Sequence, residues 1–205
     1  MKIKDIELVW LGHACFKIKI AGKVIYIDPY QLDKVEEKAD YILITHSHYD
    51  HCSIEDLAKL IKPTTIVIAT PDCQSKIMKL QPTPNIKIAQ PNVSYEFDNF
   101  KLDCIEAYNI GKDFHQKIQA WVGYIVITDD IAIFHAGDTD VIPEHDKLKQ
   151  YAEKYKLIML LPVGGTYTMN WKEASELAIK IKPYMAIPMH YASIVGSIDD
   201  AKQLV

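Results

Sequence analysis

Apolar residues along this chain gather in short runs, and the spacing between the runs changes twice. Residues 6–10, 15–20 and 23–28 are brief runs joined by a few residues each, which predicts a β-meander. Ala21-Gly22 is a tight hairpin signal, and Pro29 ends the third run because proline cannot donate to a ladder. After a polar stretch, Tyr41-Ile42-Leu43-Ile44 reads as a buried strand. The period then becomes helical. Ile54, Leu57, Ala58 and Ile61 share one face, Ser53 with Asp56 resembles a capping box, and Pro63 stops the helix. Residues 65–69 read as a second buried strand. Thr70-Pro71 predicts a further helix to about Leu80.

Pro82-Thr83-Pro84 marks a break, and the same progression starts again. Residues 86–89, 94–98 and 101–108 read as strands. A polar loop, 109–120, leads to a hairpin of residues 121–128 and 131–135 around Asp129-Asp130. Residues 143–155 then predict a helix and 157–161 a buried strand. Asn170 and Glu173 predict an N-cap and its partner for a helix with Ala174, Leu177, Ala178 and Ile181 inward. Residues 185–189 form a last strand that runs into His190. The order is α/β, and one domain is expected across residues 1–205. Both halves run from meander to α/β, which points to a duplicated two-layer unit, although their sequences do not visibly repeat.

Composition narrows the functional classes. The net charge is −4 and all 23 basic residues are lysine, so there is no electrostatic footprint for nucleic acid and no guanidinium fork for phosphate. No apolar run reaches membrane-spanning length, and residues 1–5 carry no leader signal. Cys15, Cys52, Cys73 and Cys104 are scattered without a CxxC pair, so unpaired thiols in a reducing cytoplasm are expected. Cys52 reads as a small buried thiol at a helix start.

The chemistry concentrates after the strand 41–44. His46, His48, Asp50 and His51 put four potential metal ligands within six residues. His46 and His48 alternate by two, which at a strand end aims both imidazoles to one side, and Asp50 and His51 follow where they can face a second metal. Two further candidates lie at strand ends: Asp138 in His135-Ala136-Gly137-Asp138-Thr139, and His190 in Pro188-Met189-His190-Tyr191. A carboxylate can bridge two cations, which imidazole cannot.

With these residues the chain resembles the metallo-β-lactamase-fold hydrolase superfamily. The stretch His46-Ser47-His48-Tyr49-Asp50-His51 matches that signature, Asp138 its bridging aspartate and His190 its last ligand. Supporting matches run from Leu11-Gly12-His13-Ala14 through Ile27-Asp28-Pro29 to Pro188-Met189-His190-Tyr191. Within the superfamily the chain is most similar to the small single-domain metal-dependent hydrolases that include L-ascorbate-6-phosphate lactonase.

The resemblance implies a four-layer αβ/βα sandwich and two divalent metal ions, zinc first, with manganese or iron as alternatives. It places His46, His48 and His115 on one metal, Asp50, His51 and His190 on the other, and Asp138 between them. A hydroxide shared by two cations would then attack an ester, lactone or related bond of a small molecule, with Asp50 or His13 handling the proton. There is one departure. Relatives carry a further histidine where this chain has Asn109, so His115, six residues on, is the expected third ligand of the first metal, with the Asn109 carbonyl or an extra water as the alternatives. Asp28 is expected to orient a ligand histidine, and His13, Lys112, His135 and Tyr191 are candidates for substrate contact or support. Gly164-Gly165 should allow close backbone approach. The competing readings are a phosphodiesterase or nuclease of the same superfamily, a diiron redox protein and a non-catalytic metal-binding module. No nucleic-acid or membrane partner is expected. A homo-oligomer is open.

Overall fold

A computed structural model describes residues 1–3 and 5–204, and these divide into two compact units, Met1–Ala89 and Gln90–Val205. The first unit is built on a seven-stranded sheet in sequence order: β1 (Lys2–Ile3), β2 (Ile6–Gly12), β3 (Cys15–Ile20), β4 (Lys23–Ile27), β5 (Tyr41–Ile44), β6 (Ile66–Ala69) and β7 (Asn85–Ile88). β1 to β4 pair antiparallel, and β4 to β7 pair parallel. The hairpin between β3 and β4 turns at Ala21 (φ 46°) and Gly22 (φ 77°), two left-handed residues that match the strand twist. Helix α1 (Ile54–Leu60) packs Leu57 and Leu60 into a core with Ile42, Ile44, Val67 and Ala69. Each such leucine contributes roughly 1.5–3 kcal/mol by leaving water. Ser53 caps the helix, its Oγ accepting from Asp56 N–H.

The second unit repeats the scheme in a six-stranded sheet. β8 (Ser94–Phe97), β9 (Phe100–Glu106), β10 (Val122–Ile127) and β11 (Ile131–His135) are antiparallel. β12 (Lys156–Pro162) and β13 (Met185–Met189) join β11 in parallel. β12 is buried along nearly its whole length, as a central parallel strand covered on both faces should be.

The expected elements appear with four differences. The helix predicted to reach Leu80 is a 3-10 turn (Pro71–Cys73) followed by the single α-turn α2 (Gln74–Ile77). Thr70 makes no side-chain cap, and Lys79 and Leu80 bond back three residues, which tightens the end instead of extending it. The helix expected over 143–155 is likewise a 3-10 stretch (Pro143–Lys147) leading into α3 (Leu148–Lys154). β1 had no signal in the hydrophobic pattern, being two residues long. The exposed helix α5 (Ile198–Lys202) had no apolar face to announce it. The helix α4 (Trp171–Ile181) follows the sequence closely. Asn170 and Glu173 form its capping box, and Lys182 ends it in the left-handed conformation before Pro183.

Strand direction decides where chemistry is placed. In the first sheet β2, β4 and β5 run the same way, so their C-terminal ends lie along one edge. That edge delivers His13 after β2, Asp28 after β4 and the loop 45–51 after β5. In the second sheet β9, β11, β12 and β13 share a direction. Their C-terminal edge delivers Asn109, Asp138, Gly164 and His190. Open α/β sheets bind ligands at this edge.

Candidate functional site

In the first unit the donor loop is anchored from below by Asp28. This carboxylate is fully buried and sits in the left-handed region (φ 45°). It accepts from Thr45 N–H at 2.8 Å and Thr45 Oγ1 at 2.6 Å, and the His51 Nδ1–H at 2.8 Å. Three donors on one carboxylate fix its charge in place and fix two histidine tautomers. His51 must carry its proton on Nδ1, which turns a bare Nε2 toward Asp50 Oδ2, 3.5 Å away. Thr45 spends its hydroxyl proton on Asp28, so it accepts from His46 Nδ1–H at 3.0 Å, and His46 Nε2 is left as a lone pair. That lone pair lies 3.1 Å from His48 Nδ1.

These spacings suit a cation. Two nitrogen ligands of a tetrahedral zinc, at roughly 2.0–2.1 Å each, stand about 3.3 Å apart. His13, Asp50 and His51 each offer a ligand atom, all within 4.8 Å of one another. His13 is buried, is held in the left-handed region (φ 48°), and brings Nε2 to 3.0 Å from Asp50 Oδ2. The Trp10 indole N–H holds the backbone there by donating to His13 O. Lys76 donates to Ser47 O and steadies the loop from outside. Cys52 is buried in the core beside the donor loop. All four cysteines are buried thiols without disulfides.

In the second unit the donors come from separate segments and meet at Asp138. Its Oδ2 lies 3.2 Å from His115 Nε2 and 3.1 Å from His190 Nε2, and all three side chains are buried. The His115 tautomer follows from its neighbours. Asn109 Nδ2 uses its two hydrogens on Phe114 O (3.0 Å) and Tyr167 O (2.6 Å). Nothing is left for His115 Nδ1, which therefore donates to Tyr167 O at 3.0 Å. His115 Nε2 is then a bare lone pair facing a carboxylate oxygen, an arrangement that calls for a cation. Asn109 Oδ1 is buried and has no hydrogen-bond partner among the described residues.

The rest of this edge holds those groups in place. Gly137 (φ 65°) makes the turn before Asp138, and its N–H donates to His135 Nδ1. His135 is buried at the end of β11 and shapes that turn. A Cβ on Gly164 would lie 2.5 Å from His190 O, so only glycine allows β12 and the end of β13 to approach this closely. Lys112 donates to Asp140 and to Thr168 O, and Asp140 accepts from Ile110 N–H. Its ammonium clamps the 109–120 loop and is already committed. Lys117 is bound to Glu144 and to Tyr108 OH. Burial works to raise the Glu144 carboxyl, but the hydrogen bonds from Lys117 and Tyr108 prevail and hold it down at about 2. Tyr191 is half-buried, and burial raises its phenol above the ordinary range. His145, flanked by Glu144 and Asp146, is expected from the sequence to be solvated, but it is buried, with Nδ1 accepting from Ile142 N–H.

The support of His115 by the Tyr167 carbonyl was not foreseen. A backbone acceptor some fifty residues away leaves no mark in a sequence. Thr45 was likewise passed over as strand end, although its place between Asp28 and His46 is a signal that could have been read.

The family model for the β-lactamase superfamily domain matches residues 7–190. The chain belongs to the metallo-β-lactamase superfamily of metal-dependent hydrolases. Among its relatives, a UPF0173 metal-dependent hydrolase from Thermoplasma acidophilum is 35% identical over 92% of this chain and 84% of its own length. A UPF0173 protein from Pyrococcus abyssi is 33% identical over 93% and 85%. A solved metal-dependent hydrolase from Parabacteroides distasonis superposes with a TM-score of 0.83 at 28% identity, covering 97% of this chain and 87% of that one. The fold is that of the superfamily. Its two mixed sheets are the ones the hydrophobic pattern anticipated.

Proposed function

We propose that this superfamily member is a dinuclear hydrolase that cleaves an ester, lactone or related bond of a small molecule. The candidate ligands are His46, His48, Asp50 and His51 in the first unit and His115, Asp138 and His190 in the second. The observation that carries the reading is Asp138 Oδ2 at 3.1 and 3.2 Å from two imidazole Nε2 atoms, one of them on a ring whose Nδ1–H donates to the Tyr167 carbonyl. Without a cation, that cluster would bury a carboxylate against a lone pair.

The donor set is all nitrogen and oxygen, which suits zinc, manganese or iron. Divalent metals bound there supply Lewis acidity and a nucleophile at neutral pH. The chain's own residues supply orientation and proton handling. Asp28 and Thr45 hold His51 and His46 in one tautomer, and Tyr167 does the same for His115. His13 Nε2 sits on Asp50 Oδ2, where it can hold a proton and release it to a leaving oxygen.

The deciding experiment is metal analysis of the purified protein, with hydrolysis of ester, lactone, phosphodiester and amide panels run with and without chelator. Two equivalents of divalent metal and chelator-sensitive ester or lactone turnover are expected. Bound metal without turnover on any panel would instead support the metal-binding module, and preference for phosphodiesters would support the nuclease-like reading.

A further inference from the structure

The 109–120 loop carries His115 inward and an apolar surface outward. Ile110 is 57% exposed, Phe114 50% and Ile118 89%. Phe114 meets the Tyr167 ring edge-on, with centroids 5.0 Å apart, and the Tyr167 carbonyl is the group that orients His115. Phe114 of this apolar set therefore touches the residue whose carbonyl supports His115.

The charges on the same loop lead to a second observation. Lys112 is bound to Asp140 and Thr168 O, and Lys117 to Glu144. Asp113 is exposed and has no ion-pair partner among the described residues. Both ammonium groups of the loop are thus engaged, while a carboxylate faces water. A phosphate or carboxylate on a substrate would have to displace Asp140 or Glu144 from these ammonium groups, and it would meet Asp113. An apolar group would bury aromatic and branched surface.

We infer that the 109–120 loop is a substrate-recognition lip for an alkyl or aromatic substituent, so that the substrate is an apolar ester or lactone and not a phosphorylated sugar lactone. This inference rests on the hydrolase reading above.

The test uses a matched pair of γ-lactones, one with a six-carbon alkyl side chain and one with a phosphomonoester on a side chain of similar length. The corresponding lactams serve as non-hydrolysable ligands for calorimetry on the metal-loaded protein. We expect the alkyl lactam to bind the tighter. Phe114→Ser should weaken it by on the order of tenfold, from the apolar area lost, with metal content unchanged. Ile118→Lys, at a position that is almost fully exposed, should shift preference toward the phosphorylated ligand. Tighter binding of the phosphorylated lactam by the unaltered protein, or an alkyl affinity indifferent to Phe114→Ser, would overturn the inference while leaving hydrolysis of the lactones intact. So would a Phe114→Ser protein that changes only its oligomeric mass, because a second copy would then be the occupant of the lip. Failure of the metal-loaded protein to hydrolyse any ester or lactone would overturn the hydrolase reading, and this inference with it.

Discussion

The candidate ligands His46, His48, Asp50 and His51 of the first unit sit in one loop of six residues, whereas His115, Asp138 and His190 of the second come from three segments that only a folded sheet brings together. Their supports differ in the same way. Asp28 and Thr45 are side chains at the ends of neighbouring strands, and they set the tautomers of His51 and His46. His115 is set by a backbone carbonyl and by an asparagine whose amide hydrogens are spent elsewhere and give it none. The first arrangement is local and written into side-chain identity. The second depends on a loop being held in one conformation by Asn109 and by the Lys112–Asp140 pair. A preorganised ligand set can be reached by either route, but the second is more exposed to perturbation at a distance.

The largest effect should come from the residue on which the second unit's donors converge. Asp138→Ala removes the carboxylate that faces both His115 and His190, and turnover should fall by on the order of 10³-fold, as expected for losing several kcal/mol of charge stabilisation. Metal analysis should show at least half the bound metal gone, with far-ultraviolet circular dichroism unchanged. Full metal content in that variant would mean that the first unit's loop suffices by itself.

His145 separates the stability of the second unit from its chemistry. It is buried, and desolvation pushes its pKa down to about 4 from the ordinary 6.5. As pH falls from 6.5 toward 4, the unfolded chain takes up the proton and the folded chain resists. The unfolded state therefore binds more protons, and stability is lost across that window by at most about 3 kcal/mol. Glu144, Asp146 and Glu106 soften the shift, and Lys180 adds to it. Urea unfolding at pH 7 and pH 4.5 should show a smaller drop for His145→Asn, whose amide oxygen can still accept from Ile142 N–H. An equal drop in both proteins would assign the acid sensitivity to other groups.

How much of this could be read in advance follows the same contrast. Where one loop carries the chemistry, spacing alone exposes it: a buried strand followed by His46, His48, Asp50 and His51 is interpretable before any fold is known. The succession of strands and helices was equally readable, because buried parallel strands are continuous apolar runs and α4 announces both of its ends with Asn170, Glu173 and Pro183. Convergence is not written in local pattern. Nothing near Asn109 or Tyr167 shows that they meet, and Lys112 looks like a loop cation available to substrate until Asp140 is found against it. The helix after Pro71 stops short of Leu80 because Lys79 and Leu80 bond back three residues, a tightening that the buried positions Cys73, Ile77 and Leu80 do not reveal in advance.

Asp28→Asn sharpens the comparison from the first unit's side. The amide offers one acceptor where the carboxylate offered two, so either Thr45 or His51 loses its partner. Metal affinity should weaken by about 10–100-fold, the usual effect of removing a group that orients a ligand histidine. Competition against a chromogenic chelator measures this directly. An unchanged affinity would mean that the loop 45–51 holds its histidines without help from β4.

The smallest expected effect is at Asn109, and it asks whether the second unit's remote support matters as much as the first unit's adjacent one. Asn109→Ala deletes the bonds to Phe114 O and Tyr167 O, yet Tyr167 O can still accept from His115, and Asn109 N–H still donates to His115 O at 2.7 Å. The loop loses a brace but keeps its backbone anchor, so metal affinity should fall by only about tenfold, the lower end of the range for such supports. If it falls as far as in Asp28→Asn, the side-chain brace and not the backbone anchor sets His115. If binding weakens far beyond that, the buried Oδ1 is itself a metal donor. Asn109→His should then recover the affinity by placing a nitrogen donor there, whereas a brace would not be restored by imidazole.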